Sequence, residues 1–321
     1  MRKTISLLGA AAVALGFSTA TVAADAYPSK PITLVVPWGA GGSVDMTARK
    51  IGEVLAQQGF NIVVDNVPGA SGTIGLRRVA TSQPDGYTLG IATTSLMGAI
   101  AQKITPLTTA DFTPLVQMTA EQEVLLVPDE SPVKTIEDFV ELMKTKQGGV
   151  SFGTPGAYTV NHVYGELLAQ AVGEDMIHVP YGGGAKVLAD LTGRQIDAGI
   201  LKPSEAKALV DSGRIRPIGA FATERSEMFP DVPTFEEKGL DLFVHGDLPL
   251  LSYIAGPKDL PENVVLKLTK AFSDVVVSEE YASFAREYGM TGSGMKGEEL
   301  HAVIQVIQDA YDSVLPNITA K

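Results

Sequence analysis

Three short stretches could hold an anion through the main chain: Trp38-Gly39-Ala40-Gly41-Gly42-Ser43, Gly153-Thr154-Pro155-Gly156-Ala157 and Tyr181-Gly182-Gly183-Gly184. Each follows an apolar run and precedes a helical repeat. A strand that ends in glycines and opens a helix leaves backbone N–H groups unpaired. It also points the positive end of the helix dipole at the same place. Carboxylate and phosphate bind such arrangements. Glycine suits them because no Cβ bars the ligand and unusual φ values are tolerated. Any one loop also reads as a plain turn from strand to helix. Three at equivalent places favour a site.

Few side chains add to this. Trp38, the one tryptophan, sits inside the first loop, as cover for a strand end or as a ring against a ligand. Lys202 follows the apolar Ile200-Leu201, either as a solvated loop charge or as a cation aimed into a cleft at a ligand carboxylate. Asp45 reads as an acidic residue in a helix first turn. Asp197 could cap a turn or orient a cleft residue. No nucleophile elbow, P-loop or G-x-G-x-x-G fingerprint occurs. His162, His178, His245 and His301 lack any metal-ligand spacing and read as surface or packing residues. No metal and no cofactor is expected.

The elements that would carry the loops alternate. Ile32 to Val36 reads as a buried strand, with Ser43 the N-cap of a helix bearing Ala48, Ile51 and Leu55 on one stripe. Ile62-Val63-Val64 and Tyr87 to Ala92 are further strands, separated by a second glycine-rich loop, Asn66 to Gly75. The same order restarts at Val124 to Val127 and Val150-Ser151-Phe152. This β-α alternation predicts mostly parallel, wound sheets in two halves that face each other across a cleft. Helices dominate after Pro261 and are expected to cover the first half. That half is then discontinuous in sequence, with crossings near 115–127 and 243–255.

At 321 residues the chain exceeds the roughly 250–300 at which a single core stops growing, which favours two domains. A formal charge of −12 argues against a nucleic-acid backbone or an anionic membrane surface as main partner. With no cysteine, disulfides, thiolate metal sites and thiol nucleophiles are excluded. Arg2 and Lys3 precede the apolar stretch Ile5–Phe17, which is short for a bilayer, and small residues run to Ala23-Ala24. This is the layout of a signal peptide over residues 1–24 and predicts export as a soluble periplasmic protein.

Several runs together resemble the receptors of tripartite tricarboxylate transporters, also called Bug receptors. They are Tyr27-Pro28-Ser29-Lys30-Pro31-Ile32, Val36 to Asp45, Asn66 to Gly75, Pro84-Asp85-Gly86-Tyr87-Thr88-Leu89, His178 to Ala185 and Pro230 to Phe235. The resemblance spans nearly the whole chain beyond residue 24. It implies a two-lobed periplasmic-binding-protein-like α/β fold with a ligand cleft between lobes. Lobe I would be residues 25–123 plus 249–321, and lobe II residues 124–248. It further implies a monomer that closes on a small organic acid and delivers it to membrane permease subunits, without catalysis. By the same resemblance Trp38, Gly39, Ala40, Gly41, Gly42, Ser43, Asp45, Asn66, Gly69, Ala70, Ser71, Gly72 and Thr73 would hold one carboxylate. Thr94 and Ser95 would supply a third lobe I loop. Gly156, Ala157, Tyr158, Thr159, Tyr181, Gly182 and Lys202 would line lobe II. The chain departs from the family pattern at Trp38, Lys202 and His245-Gly246-Asp247. A lysine in lobe II favours a second carboxylate, hence a di- or tricarboxylate. Other readings are an exported α/β enzyme acting on a small acid and a ligand-sensing partner of a membrane sensor.

Overall fold

The computed structural model describes residues 27–242, 248, 250–290 and 292–318. The segment expected to direct export, residues 1–24, and His245-Gly246-Asp247 lie outside the described residues. The chain opens β1 (Ile32–Val36), α1 (Ser43–Gln57), β2 (Ile62–Asn66), α2 (Thr73–Ala80), β3 (Thr88–Thr93), α3 (Ser95–Ala101) and β4 (Phe112–Glu121). It restarts as β5 (Glu123–Pro128), α4 (Ile136–Thr145), β6 (Val150–Thr154), α5 (Val160–Val172), β7 (Met176–Pro180), α6 (Gly184–Thr192), β8 (Ala198–Leu201), α7 (Pro203–Asp211) and β9 (Ile215–Phe221). β10 (Leu250–Pro257), α8 (Glu262–Val276), α9 (Glu279–Glu287) and α10 (Gly297–Ile318) complete it.

Two five-stranded sheets result, ordered β2-β1-β3-β10-β4 and β7-β6-β8-β5-β9. Each sheet is mostly parallel, as expected, with one reversed strand. In the first sheet β1 pairs in parallel with β2 and β3, but β10 is antiparallel to both β3 and β4. The second sheet repeats this around β5, antiparallel to β8 and β9. In each sheet the reversed strand follows directly on the chain's passage from the other sheet. It lies between two strands that run alike, and because it arrives from the other sheet it needs no helical crossover and can run the opposite way. The result is a two-lobed α/β fold of two mixed sheets flanked by helices.

β1 is apolar except at the partly buried Thr33 because both its faces are covered: Ile32, Leu34, Val35 and Val36 are fully buried. One face of its sheet packs on α1, α8 and α9 through Ala48, Ile51, Leu55, Leu268, Phe272 and Tyr281. The other face joins a continuous apolar layer that reaches Phe152, Leu168 and Phe221 of the second lobe and Tyr311 of α10. The C-terminal helices therefore cover the first lobe, and α10 also packs on α5 of the second. The two lobes share this layer on one side and leave the carboxyl ends of β1, β3 and β6 facing each other.

Candidate ligand-binding site

The first glycine loop is shaped from behind. Gly41 takes φ +84°, a value that favours glycine. The Asp45 carboxylate folds back to accept from Gly41 N at 2.9 Å, and also takes Arg49 Nε at 3.0 Å and Asn66 Nδ2 at 3.0 Å. Asn66 Nδ2 also donates to the Trp38 carbonyl at 3.1 Å. Burial works to raise the Asp45 pKa, but Arg49 and these N–H donors outweigh it and hold the carboxyl below its usual range. Asp45 and Asn66 thus brace the loop and point away from the cleft. The expected Ser43 cap is replaced: Gly42 is the N-cap and no side chain caps α1. The first N–H groups of α1 are left for something across the cleft.

The second loop is strained. Gly69, Ala70, Ser71 and Gly72 have φ of 131°, 45°, 54° and 90°, the middle two in the sparsely populated left-handed region. Ser71 Oγ donates to the Ala157 carbonyl of the other lobe at 2.6 Å. Thr73 closes the turn on the Ala70 carbonyl at 2.8 Å. Gly72 lies against Pro37 and Trp38, where a Cβ would come within 3.5 Å of the indole. Trp38 therefore stands between this loop and the cleft. In the second lobe Tyr158, at φ 59°, is pinned by its N–H to His162 Nδ1 at 3.0 Å. Thr159 caps α5. His162 stacks on His178 with centroids 3.7 Å apart, and burial, with His162 alongside, lowers the His178 pKa to about 3. Both rings serve packing.

The first and third loops meet. A Cβ on Gly39 would touch the Gly182 carbonyl at 3.6 Å, and one on Gly183 would lie 3.7 Å from Gly39 N. Beside this contact lies a cavity of about 250 Å3, lined by backbone of both loops. It brings together Trp38, Gly39, Ala40, Gly42, Ser43, Ser95, Gly182 and Lys202 of the residues singled out in the sequence. Gly41, Asp45, Asn66, Gly69, Ala70, Ser71, Gly72, Thr73, Thr94, Gly156, Ala157, Tyr158, Thr159 and Tyr181 lie outside its lining. They brace loops, join lobes or, as with Tyr181, bond outward to Asp190 at 2.8 Å. Thr94 is held by β10 through Leu251 N at 2.7 Å. The lining also holds Pro155, Gly183 and Gly184 of the glycine loops read in the sequence, and adds Val44, Thr93, Asn161, Ala185, Lys186, Glu205 and Leu250. Lys186 stands two residues after the third loop, and Glu205 falls in the first turn of α7 after Pro203. Both were within reach of the glycine and proline signals that located their neighbours.

Lys202 is not a free cation. It is 6% exposed, and its Nζ donates to Glu121 Oε1 at 2.8 Å. The Ser204 hydroxyl donates to the other Glu121 oxygen. Glu121 ends β4, and two residues later Glu123 begins β5, so the cluster sits where the chain passes between sheets. Lys146 does for Asp197 what Lys202 does for Glu121, at 2.5 Å. Ser151 also donates to Asp197, so that residue ties β6 to the start of β8.

Glu123 is 1% exposed, and neither oxygen has a hydrogen-bond partner among the described residues. Burial raises its pKa well above the ordinary 4.5, against the pull of Lys202. A carboxyl raised in the fold stabilises it most below the unfolded value, and that contribution is lost as pH rises toward the folded value. The Glu123 contribution to stability should therefore fall from about pH 4.5 upward. In Glu123→Gln the pH-dependent loss should shrink without vanishing, since the Glu205 pKa is raised too, chiefly by burial. Urea midpoints at pH 5 and pH 8 check this. An unchanged difference in the variant would remove Glu123 as its source.

Two wound sheets whose glycine loops face each other across a small cavity define a binding-protein fold. Residues 46–318 match the family model described as the tripartite tricarboxylate transporter family receptor, and the chain belongs to that family. Its relatives include BugT of Bordetella pertussis, 27% identical over 296 residues, with 91% of this chain and 90% of that protein covered. Among solved structures, MatC of Rhodopseudomonas palustris with bound malate superposes with a TM-score of 0.83 at 26% identity, covering 90% of this chain and 99% of that one. A second R. palustris protein, with adipate, gives 0.85 at 25%, covering 91% and 98%. Among the described residues no helix is long and apolar enough to cross a membrane.

Proposed function

We propose that this chain is a periplasmic receptor that closes on a small organic acid and delivers it to a tripartite-type membrane permease. It acts as a monomer and without catalysis. The observation that carries this is the meeting of the first and third glycine loops. The start of α1, where Glu205 Oε1 already accepts from Ser43 N, and the start of α6 then open on one cavity between the lobes. The malate and adipate held by the two R. palustris relatives support an acid ligand. We assign the moving bodies as residues 25–123 with 249–321, and 124–248. The ligand seat is assigned to Trp38, Gly39, Ser43, Ser95, Gly182 and Lys186.

Lys186 takes the part first given to Lys202. It is exposed at the cavity wall, about 4 Å from where a Gly182 Cβ would lie, and makes no ion pair among the described residues. A carboxylate entering the cavity meets this cation first. Lys186→Met should weaken acid binding by about tenfold, or ~1.4 kcal/mol, with the melting temperature of the empty protein unchanged. Melting curves against a panel of mono-, di- and tricarboxylates and aromatic acids test the reading. A true ligand at a hundredfold excess over Kd should add about 2.7 kcal/mol. No shift across the panel would overturn it.

A further inference from the structure

The stacked histidines of the second lobe also hold a backbone. The loop at residues 156–159 is where that lobe meets the first. Its Ala157 carbonyl accepts from Ser71 Oγ at 2.6 Å, and its Tyr158 carbonyl lies against Gly98 of α3. Both rings support this loop from behind. Thr154 Oγ1 donates to the Gly156 carbonyl at 2.7 Å. Its one proton is thus spent, and His178 Nε2 donates to the same hydroxyl oxygen at 2.7 Å. Tyr158 N donates to His162 Nδ1 at 3.0 Å. That bond needs a bare Nδ1, so neutral His162 carries its proton on Nε2, toward Glu166 Oε1 at 3.4 Å.

A proton on Nδ1 turns this acceptor into a donor. Two N–H groups then point at each other, and Tyr158 N must leave. Tyr158 is already at φ 59°, a conformation that persists only while its surroundings impose it. Release of its N–H therefore frees the Ala157 and Tyr158 carbonyls that meet the first lobe. Four groups face the His162 ring. Glu166 of α5 lies beside Nε2, the Tyr158 ring stands edge-on at 5.5 Å, and Phe152 of β6 stacks at 6.3 Å. His178 of β7 stacks at 3.7 Å. Burial, with His162 alongside, lowers the His178 pKa to about 3, so that ring stays neutral in mild acid. A carboxylate on one side and a neutral ring on the other admit one positive charge to the stack and not two.

We propose that His162 is a positioning residue for lobe closure, and that its protonation unlatches the loop and moves the lobes toward the open form. Linkage fixes the sign. The closed form needs a bare Nδ1, so closure expels a proton and acid favours opening. Trp38 supplies the readout, since the one tryptophan is half-buried in the lining of the cavity between the lobes. The test is Trp38 emission and small-angle scattering of the protein without ligand from pH 8 to pH 5, the range in which imidazoles charge. Emission should move to longer wavelength and the radius of gyration should rise as pH falls. Loss of the one bond should lower the ratio of closed to open protein about tenfold. His162→Asn puts an oxygen where Nδ1 stood. It accepts from Tyr158 N and takes up no proton, so both signals should stay at their pH 8 values throughout. His162→Phe keeps a ring on His178 without an acceptor, and should match acidified parent protein at every pH. Glu123 and Glu205, whose pKa values burial raises, gain charge as pH rises, and their effect should persist in both variants. A His162→Asn protein that responds like the parent, or a parent that does not respond, overturns the proposal. The Asn variant decides the matter even if the Phe variant does not fold. No ligand enters the test, so its failure leaves the receptor reading standing.

Discussion

Gly98→Ala is expected to cut affinity for the ligand about a hundredfold, or ~2.7 kcal/mol, while leaving the empty protein close to its original stability. Gly98 lies in α3 of the first lobe, and a Cβ there would sit 2.1 Å from the Tyr158 carbonyl of the second. That oxygen cannot retreat easily. Tyr158 is already at φ 59° and is tethered to His162 at 3.0 Å. The lobes must therefore part by roughly an ångström at this point, taking the Ser71 bond to Ala157 and the Gly39–Gly182 contact with them. Within the first lobe, contact with Tyr311, 2.9 Å from that Cβ, is unfavourable. Alanine's better helix propensity, about 1 kcal/mol over glycine, works the other way. Titration of the variant by calorimetry, beside its melting curve, separates closure from folding. Unaltered affinity would mean that the lobes need not meet here for binding.

Lys202→Met is expected to destabilise the fold by about 3–5 kcal/mol, the usual cost of removing one partner of a buried ion pair. This is a large part of the roughly 5–15 kcal/mol that holds a domain together. The exposures of the two side chains, 8% for Lys202 and 1% for Glu121, leave little solvent to screen the orphaned carboxylate. Lys202 also offsets Glu123 and Glu205, so Glu121→Gln in the Lys202→Met background should recover only part of the loss. Urea unfolding of the single and double variants measures both quantities. A single variant within 1 kcal/mol of the parent would show that the cluster tolerates its charge by taking up protons at little cost.

What the sequence revealed and what it hid divide along chain distance. Strands such as Ile32 to Val36 and loops such as Trp38 to Ser43 carry their own signals, an apolar run and then glycines, within a dozen residues. The reversed strand of each sheet does not. β10 pairs Leu250 with Glu121, and nothing near either residue announces the other or its direction. The site follows the same rule. The facing of Gly39 and Gly182 follows from two locally legible turns placed at matching strand ends. The commitment of Lys202 to a glutamate 81 positions away has no local mark, so a buried pair read as an available cation. Ser71 and Asn66 were picked for their loop, yet one joins the lobes and the other braces the backbone. Position in a glycine-rich run fixes where a residue lies and leaves open which way its side chain turns.

The most direct measurement is small-angle X-ray scattering of the protein with and without the acid that raises its melting temperature most. The account predicts a smaller radius of gyration on saturation, as the first and third loops come together, and no such change in Gly98→Ala. Identical scattering from the empty and saturated protein would contradict closure of the two lobes on the ligand.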